Sequence, residues 1–86
     1  MPYIKPTERL QFENVLNLLN DHCDNLTAGE LNYFISSIIW KAFDENTSYS
    51  KANELIGVLE CVKQEFYRRK VVPYEEEKTR ENGDLL

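Results

Sequence analysis

The stretch "TAGELNYFISSIIWKAF" (Thr27–Phe43) decides the fold class. Thr27 and Glu30 are spaced as a capping box, in which hydroxyl and carboxylate each satisfy an orphan backbone donor at a helix start. Leu31, Phe34, Ile35, Ile38, Ile39 and Ala42 then recur at steps of three and four, with Trp40 and Phe43 beside them. That period belongs to a helix, and a stripe this wide asks for cover on more than one side. "DENTSYS" (Asp44–Ser50) follows as a connector.

Two further segments carry the same period. Upstream, Phe12, Val15, Leu16, Leu19 and Cys23 draw one apolar stripe. Pro6 and Thr7 suit its start, Glu8 suits the positive end of the helix dipole, and "DHCDN" (Asp21–Asn25) is its exit. Downstream, a helix from near Ser50 to about Lys70 places Leu55, Ile56, Leu59, Val62 and Phe66 on one face, widened by Val58 and Cys61. Gly57 sits in its middle, either as a tolerated defect or as a point of close backbone approach. Pro73 is expected to stop this helix, because the residue before a proline disfavours helical geometry. The expected architecture is all-α: a three-helix domain over residues 1–72 and a polar, acidic tail over 73–86. The apolar excess on the second and third helices favours a homo-oligomer.

Composition narrows the function classes. The chain has 86 residues, 42% hydrophobic and 29% charged, which describes a folded globular protein. Residues 1–72 hold ten acids and eight bases, and residues 73–86 hold five acids and two bases, so the net charge of −5 lies mostly in the tail. No basic face runs along the chain, and binding to nucleic acid is not expected. The longest apolar run, "FISSIIW" (Phe34–Trp40), is broken by two serines and far too short to span a membrane. The opening "MPYIKPTERL" lacks a signal-peptide core, so a cytoplasmic location is expected. Cys23 and Cys61 each fall on an apolar face and are expected as buried free thiols; with one histidine, His22, they offer too few ligands for a metal site.

Catalysis has no visible apparatus. His22 adjoins Cys23, but neighbouring helical residues diverge by about 100° and do not face each other. The three glycines, Gly29, Gly57 and Gly83, are too far apart to form a phosphate loop. No enzyme activity and no cofactor are expected. Binding is another matter. Tyr67, Arg68, Arg69 and Lys70 close the third helix, just ahead of Pro73, Tyr74 and the glutamates 75–77. Three roles are open to the cations. They can complement the negative helix end, hold phosphate or carboxylate through arginine forks with tyrosines stacking beside them, or pair with the glutamates beyond Pro73.

Five stretches together resemble a known type of protein: "MPYIKP" (Met1–Pro6), "GELNY" (Gly29–Tyr33), "IGVLECVKQEFYRR" (Ile56–Arg69), "PYEEEK" (Pro73–Lys78) and "ENGD" (Glu81–Asp84). They are similar to a family of small uncharacterised proteins found in bacteriophages and in bacteria carrying prophages. The block from Ile56 to Arg69 is the most specific, and "WKAFDENTSYSKAN" (Trp40–Asn53) departs most from the pattern. The resemblance implies a short, stand-alone, phage-type cytoplasmic protein and brings no established activity. Its motifs keep tyrosines, arginines and an asparagine at segment ends, where core packing does not call for them. The expectation is a non-enzymatic oligomer that sequesters a small anionic, nucleotide-type ligand such as a host immune signal. Its candidate ligand-binding residues are Tyr67, Arg68, Arg69 and Tyr74, with Lys5, Lys78, Asn32 and Tyr33 in support. The alternative is a protein-interaction module that inhibits a host protein through its acidic tail.

Overall fold

The capping box at Thr27 forms as its spacing requires. Thr27 N–H donates to Glu30 Oε1 at 2.9 Å, and Glu30 N–H donates back to Thr27 Oγ1 at 3.1 Å. A computed structural model describes residues 4–85, and all regular structure among them is helical. A 3-10 turn (Pro6–Phe12) leads into α1 (Glu13–His22); α2 is Ala28–Asp44 and α3 is Tyr49–Phe66. A π-helical turn (Tyr67–Val71) then joins α3 to α4 (Val72–Asn82) without a break. The all-α expectation therefore holds, with three helical runs. The chain divides into two units, the first ending at Ser37 and the second beginning at Ile38, inside α2.

In the first unit, Pro6 occupies the start of the 3-10 turn, where its missing N–H is no loss. Glu8 closes that turn, accepting from Lys5 N–H at 3.3 Å while its own N–H donates to Lys5 O at 2.9 Å. The chain leaves α1 through Cys23, whose N–H donates to Leu19 O at 2.9 Å. Asn25 then takes a left-handed conformation at φ 55°, which asparagine tolerates better than most residues. Of the stripe expected on α1, Leu19 and Cys23 are half-buried, and Phe12, Val15 and Leu16 remain exposed.

The second unit is built on the turn between α2 and α3. Thr47 Oγ1 donates to Phe43 O at 3.2 Å and satisfies a terminal carbonyl of α2. Ser48 caps α3, its Oγ accepting from Lys51 N–H at 3.1 Å. This turn brings the last residues of α2 over the first turns of α3. Leu55 is buried there, the one buried apolar residue among those described.

Two expectations change here. Pro73 does not stop the helix. Val72, the residue before it, is right-handed helical (φ −59°, ψ −48°), and α4 continues to Asn82. The widened turn provides the physical reason. Val72 N–H donates to Tyr67 O, five residues back, so the hydrogen-bond register changes just where Pro73 has no N–H to give. Residues 73–82 are thus helix, ending at Gly83 (φ 84°), whose N–H donates to Thr79 O at 2.8 Å. Cys61 is exposed rather than buried, because the last residues of α2 cover only the start of α3; Cys23 is half-buried, and both are free thiols. A Cβ at Gly57 would meet nothing within 4 Å, so among the described residues no backbone approaches there and the glycine is a tolerated defect.

Candidate functional site: the cationic π turn

The π turn carries Tyr67, Arg68, Arg69 and Lys70. Arg68 Nη2 lies 2.9 Å from Glu65 Oε2, and Arg69 Nη1 lies 3.2 Å from Glu65 Oε1. One carboxylate thus holds both guanidinium groups, one on each oxygen. The hydrogen bond from Arg68 is the main influence keeping the Glu65 carboxyl below the ordinary carboxylate range. Of the three roles open to these cations, pairing with the glutamates after Pro73 is not the one that forms. Because the helix continues, residue 65 sits one turn behind at i−3 and i−4, whereas residues 75–77 are carried further along the axis. Tyr67 reaches that run instead, its hydroxyl donating to Glu75 Oε1 at 3.3 Å.

Beyond the turn, Tyr74 and Lys78 lie on α4, with Lys78 Nζ 5.6 Å from the centre of the Tyr74 ring. Lys78 also pairs with Glu81 at 3.2 Å. Among the described residues Lys70 has no ion pair. Five of the eight expected site residues therefore lie on one unbroken helical run: Tyr67, Arg68, Arg69, Tyr74 and Lys78. Lys5, Asn32 and Tyr33 belong to the first unit and form no part of that run. There Asn32 Oδ1 accepts from Ser36 Oγ at 3.2 Å, and the carbonyl of Tyr33 accepts from Ser37 Oγ at 2.8 Å.

Comparison with known families places the chain. Residues 1–85 match a family described as a domain of unknown function, DUF6899. The chain belongs to the DUF6899 family. Neither the curated proteins nor the solved structures include a match to it.

What the turn of this DUF6899 chain can do follows from its exposure. The Arg68 and Arg69 side chains are 67% and 65% exposed, so their bonds to Glu65 are surface ion pairs, weakened by solvent screening. An anion with two or more charged oxygens can compete for them through arginine forks. Tyr67, in the turn, and Tyr74, on α4, are both exposed and lie on the same helical run. Among the described residues no group of three His, Cys, Asp or Glu could hold a metal ion, and no helix is long and apolar enough to cross a membrane.

Residue types alone did not point to the second feature of this DUF6899 unit. Ile39, Trp40 and Phe43 of α2 face Leu55, Ile56 and Leu59 of α3 across a wholly apolar concavity of about 220 Å³. Trp40 and Ile56 are exposed at its rim. Sequence reasoning assigned these residues to the core. The width of the α2 stripe was the signal that they also form a surface.

Proposed function

We propose that this DUF6899 chain is a binding module and not an enzyme. It is a self-associating helical protein of phage type, acting in the host cytoplasm, that captures a small anionic, nucleotide-type ligand such as a host immune signal. The observation carrying this reading is the π turn itself. Such turns recur at functional sites, and this one displays Arg68 and Arg69 on a single exchangeable carboxylate with Tyr67 and Tyr74 on the same helical run. Arginine forks supply affinity for phosphate, and tyrosine faces supply stacking for a base. Subunit interfaces supply the pocket depth that 86 residues alone cannot.

Calorimetric titration with pyrophosphate, ADP and a cyclic dinucleotide tests this reading. Binding that falls at least tenfold in both Arg68→Ala and Arg69→Ala is expected. Equal affinity in wild type and both variants would sink the assignment. A second reading rests on α4, an exposed helix carrying Glu75, Glu76 and Glu77, which could dock on a basic protein surface. Under it, deleting residues 74–86 abolishes capture of a basic partner protein and the arginine substitutions do not.

A further inference from the structure

Among the apolar positions of α3, one set alternates by three and four. Ala52, Leu55, Leu59, Val62 and Phe66 are the a and d positions of two heptads, the spacing of a seam that packs against another helix. Cover along this seam fails progressively. Leu55 is 9% exposed, Leu59 39%, Val62 56% and Phe66 60%. At the end nearest α2, Ile39 and Phe43 line the apolar concavity over Leu55; the end nearest the π turn, at Val62 and Phe66, stays exposed among the described residues.

We infer that this uncovered seam is the face on which a second copy of the chain docks, α3 against α3. The inference rests on the self-association in the function proposed above and names the surface responsible. Three observations favour a second copy as the occupant. The first is area. Trp40, Ile56, Leu59, Val62 and Phe66 leave roughly 500 Å² of apolar side chain uncovered in one connected strip, at the upper range for patches on monomers. Two such strips facing each other bury about 1,000 Å², the size at which a specific interface begins.

The second is charge. The seam is flanked by Lys63, paired with Glu60, and by Glu65, paired with Arg68 and Arg69, so both flanks carry both signs and neither presents a single charge to a partner. A surface evolved for a strongly acidic or basic partner would carry one sign. The third is register. The heptad spacing is unbroken over α3 and ends at the π turn, so the uncovered part, Leu59 to Phe66, keeps the spacing suited to helix pairing.

Multi-angle light scattering on the full chain, without any added anion, from about 1 to 100 μM, is the experiment. Wild type is expected at twice the 10.1 kDa chain mass or a higher even multiple. Val62→Glu and Phe66→Glu should each move it to the monomer mass, while Tyr49→Glu, on the exposed first turn of α3 outside the seam, should leave it unchanged. Both seam positions are already exposed within the chain, so helicity by circular dichroism should survive in the variants. A monomeric wild type at 100 μM overturns the inference, and so does an oligomer indifferent to both seam substitutions. Because the mass is read without ligand, failure here is distinct from failure of anion binding. Monomeric wild type that still binds pyrophosphate through Arg68 removes only the seam, and a Val62-dependent dimer that binds no anion removes only the ligand.

Discussion

Helices α3 and α4 belong to one continuous helical run, yet they are held in opposite ways. α3 is organised by an apolar seam, closed at one end by α2 over Leu55. α4 has no such seam. It has no buried residue, and its internal contacts are local: Lys78 with Glu81 and Tyr74, and Thr79 Oγ1 donating to Glu75 O at 2.9 Å. A helix that is polar around its circumference depends on such pairs and on the helix it continues. The candidate site lies at the junction, where packing ends and exposed chemistry begins. That is where a small protein can display charged side chains without giving up core.

The largest test of this contrast is in the core of the second unit. Leu55→Ala should cost about 2–3 kcal/mol, because it removes the central buried side chain beneath Ile39 and Phe43. Lys78→Ala on α4 should cost about 0.5 kcal/mol or less, since it removes only exposed partners. Urea unfolding of the two variants measures both. If their midpoints shifted equally, the distinction between a packed and a locally held half would fail.

Caps and backbone come next in size. Ser48→Ala removes the acceptor for Lys51 N–H and should cost about 1 kcal/mol. Gly57→Ala should gain about 0.5–1 kcal/mol, because a methyl there meets no neighbour and alanine is the better helix former. Residue 57 lies opposite the seam, so the same substitution should not alter the oligomer mass. A loss of stability at Gly57→Ala would point to a covering element on that side of α3.

Much of this was legible in the sequence, and the two readings that change, the break at Pro73 and the burial of Cys61, change for different reasons. Local rules were sufficient for the Thr27–Glu30 box, the helical period and the connector before Ser48, because their partners lie within four residues. The break expected at Pro73 failed because the rule for the preceding residue is a bias, and a widened turn upstream absorbs the missing donor without ending the helix. Pairing of Arg68 and Arg69 with the later glutamates, one of the three roles left open, needed a chain reversal that the continuing helix does not make. The burial expected for Cys61 failed because an apolar stripe records what a helix wants covered and not which molecule covers it. Tyr67, Arg68 and Arg69 were singled out from residue type alone; the sharing of Glu65 by the two arginines needed the helix geometry.

The smallest predicted effect separates the junction from both helices. The Glu65 carboxyl lies below its ordinary value of 4.5, chiefly through the hydrogen bond from Arg68. A carboxyl whose folded value is lowered contributes stability above its unfolded value and loses that contribution as pH falls through the folded one. Acid should therefore weaken the turn between the ordinary carboxylate range and the lowered value for Glu65, and neutral or alkaline pH should leave it intact. The group is solvent-exposed, so the change in global stability should be slight. The local consequence is larger, because protonation removes the charge that competes for Arg68 and Arg69. Glu65→Gln imitates that state at neutral pH, keeping the side-chain length while dropping the charge. It should raise affinity for pyrophosphate severalfold and flatten the acid limb of a carbon-detected titration at the turn. Unchanged affinity in Glu65→Gln would mean that the shared carboxylate does not restrain the arginines, and the turn would then be a capped helix junction instead of a site in waiting.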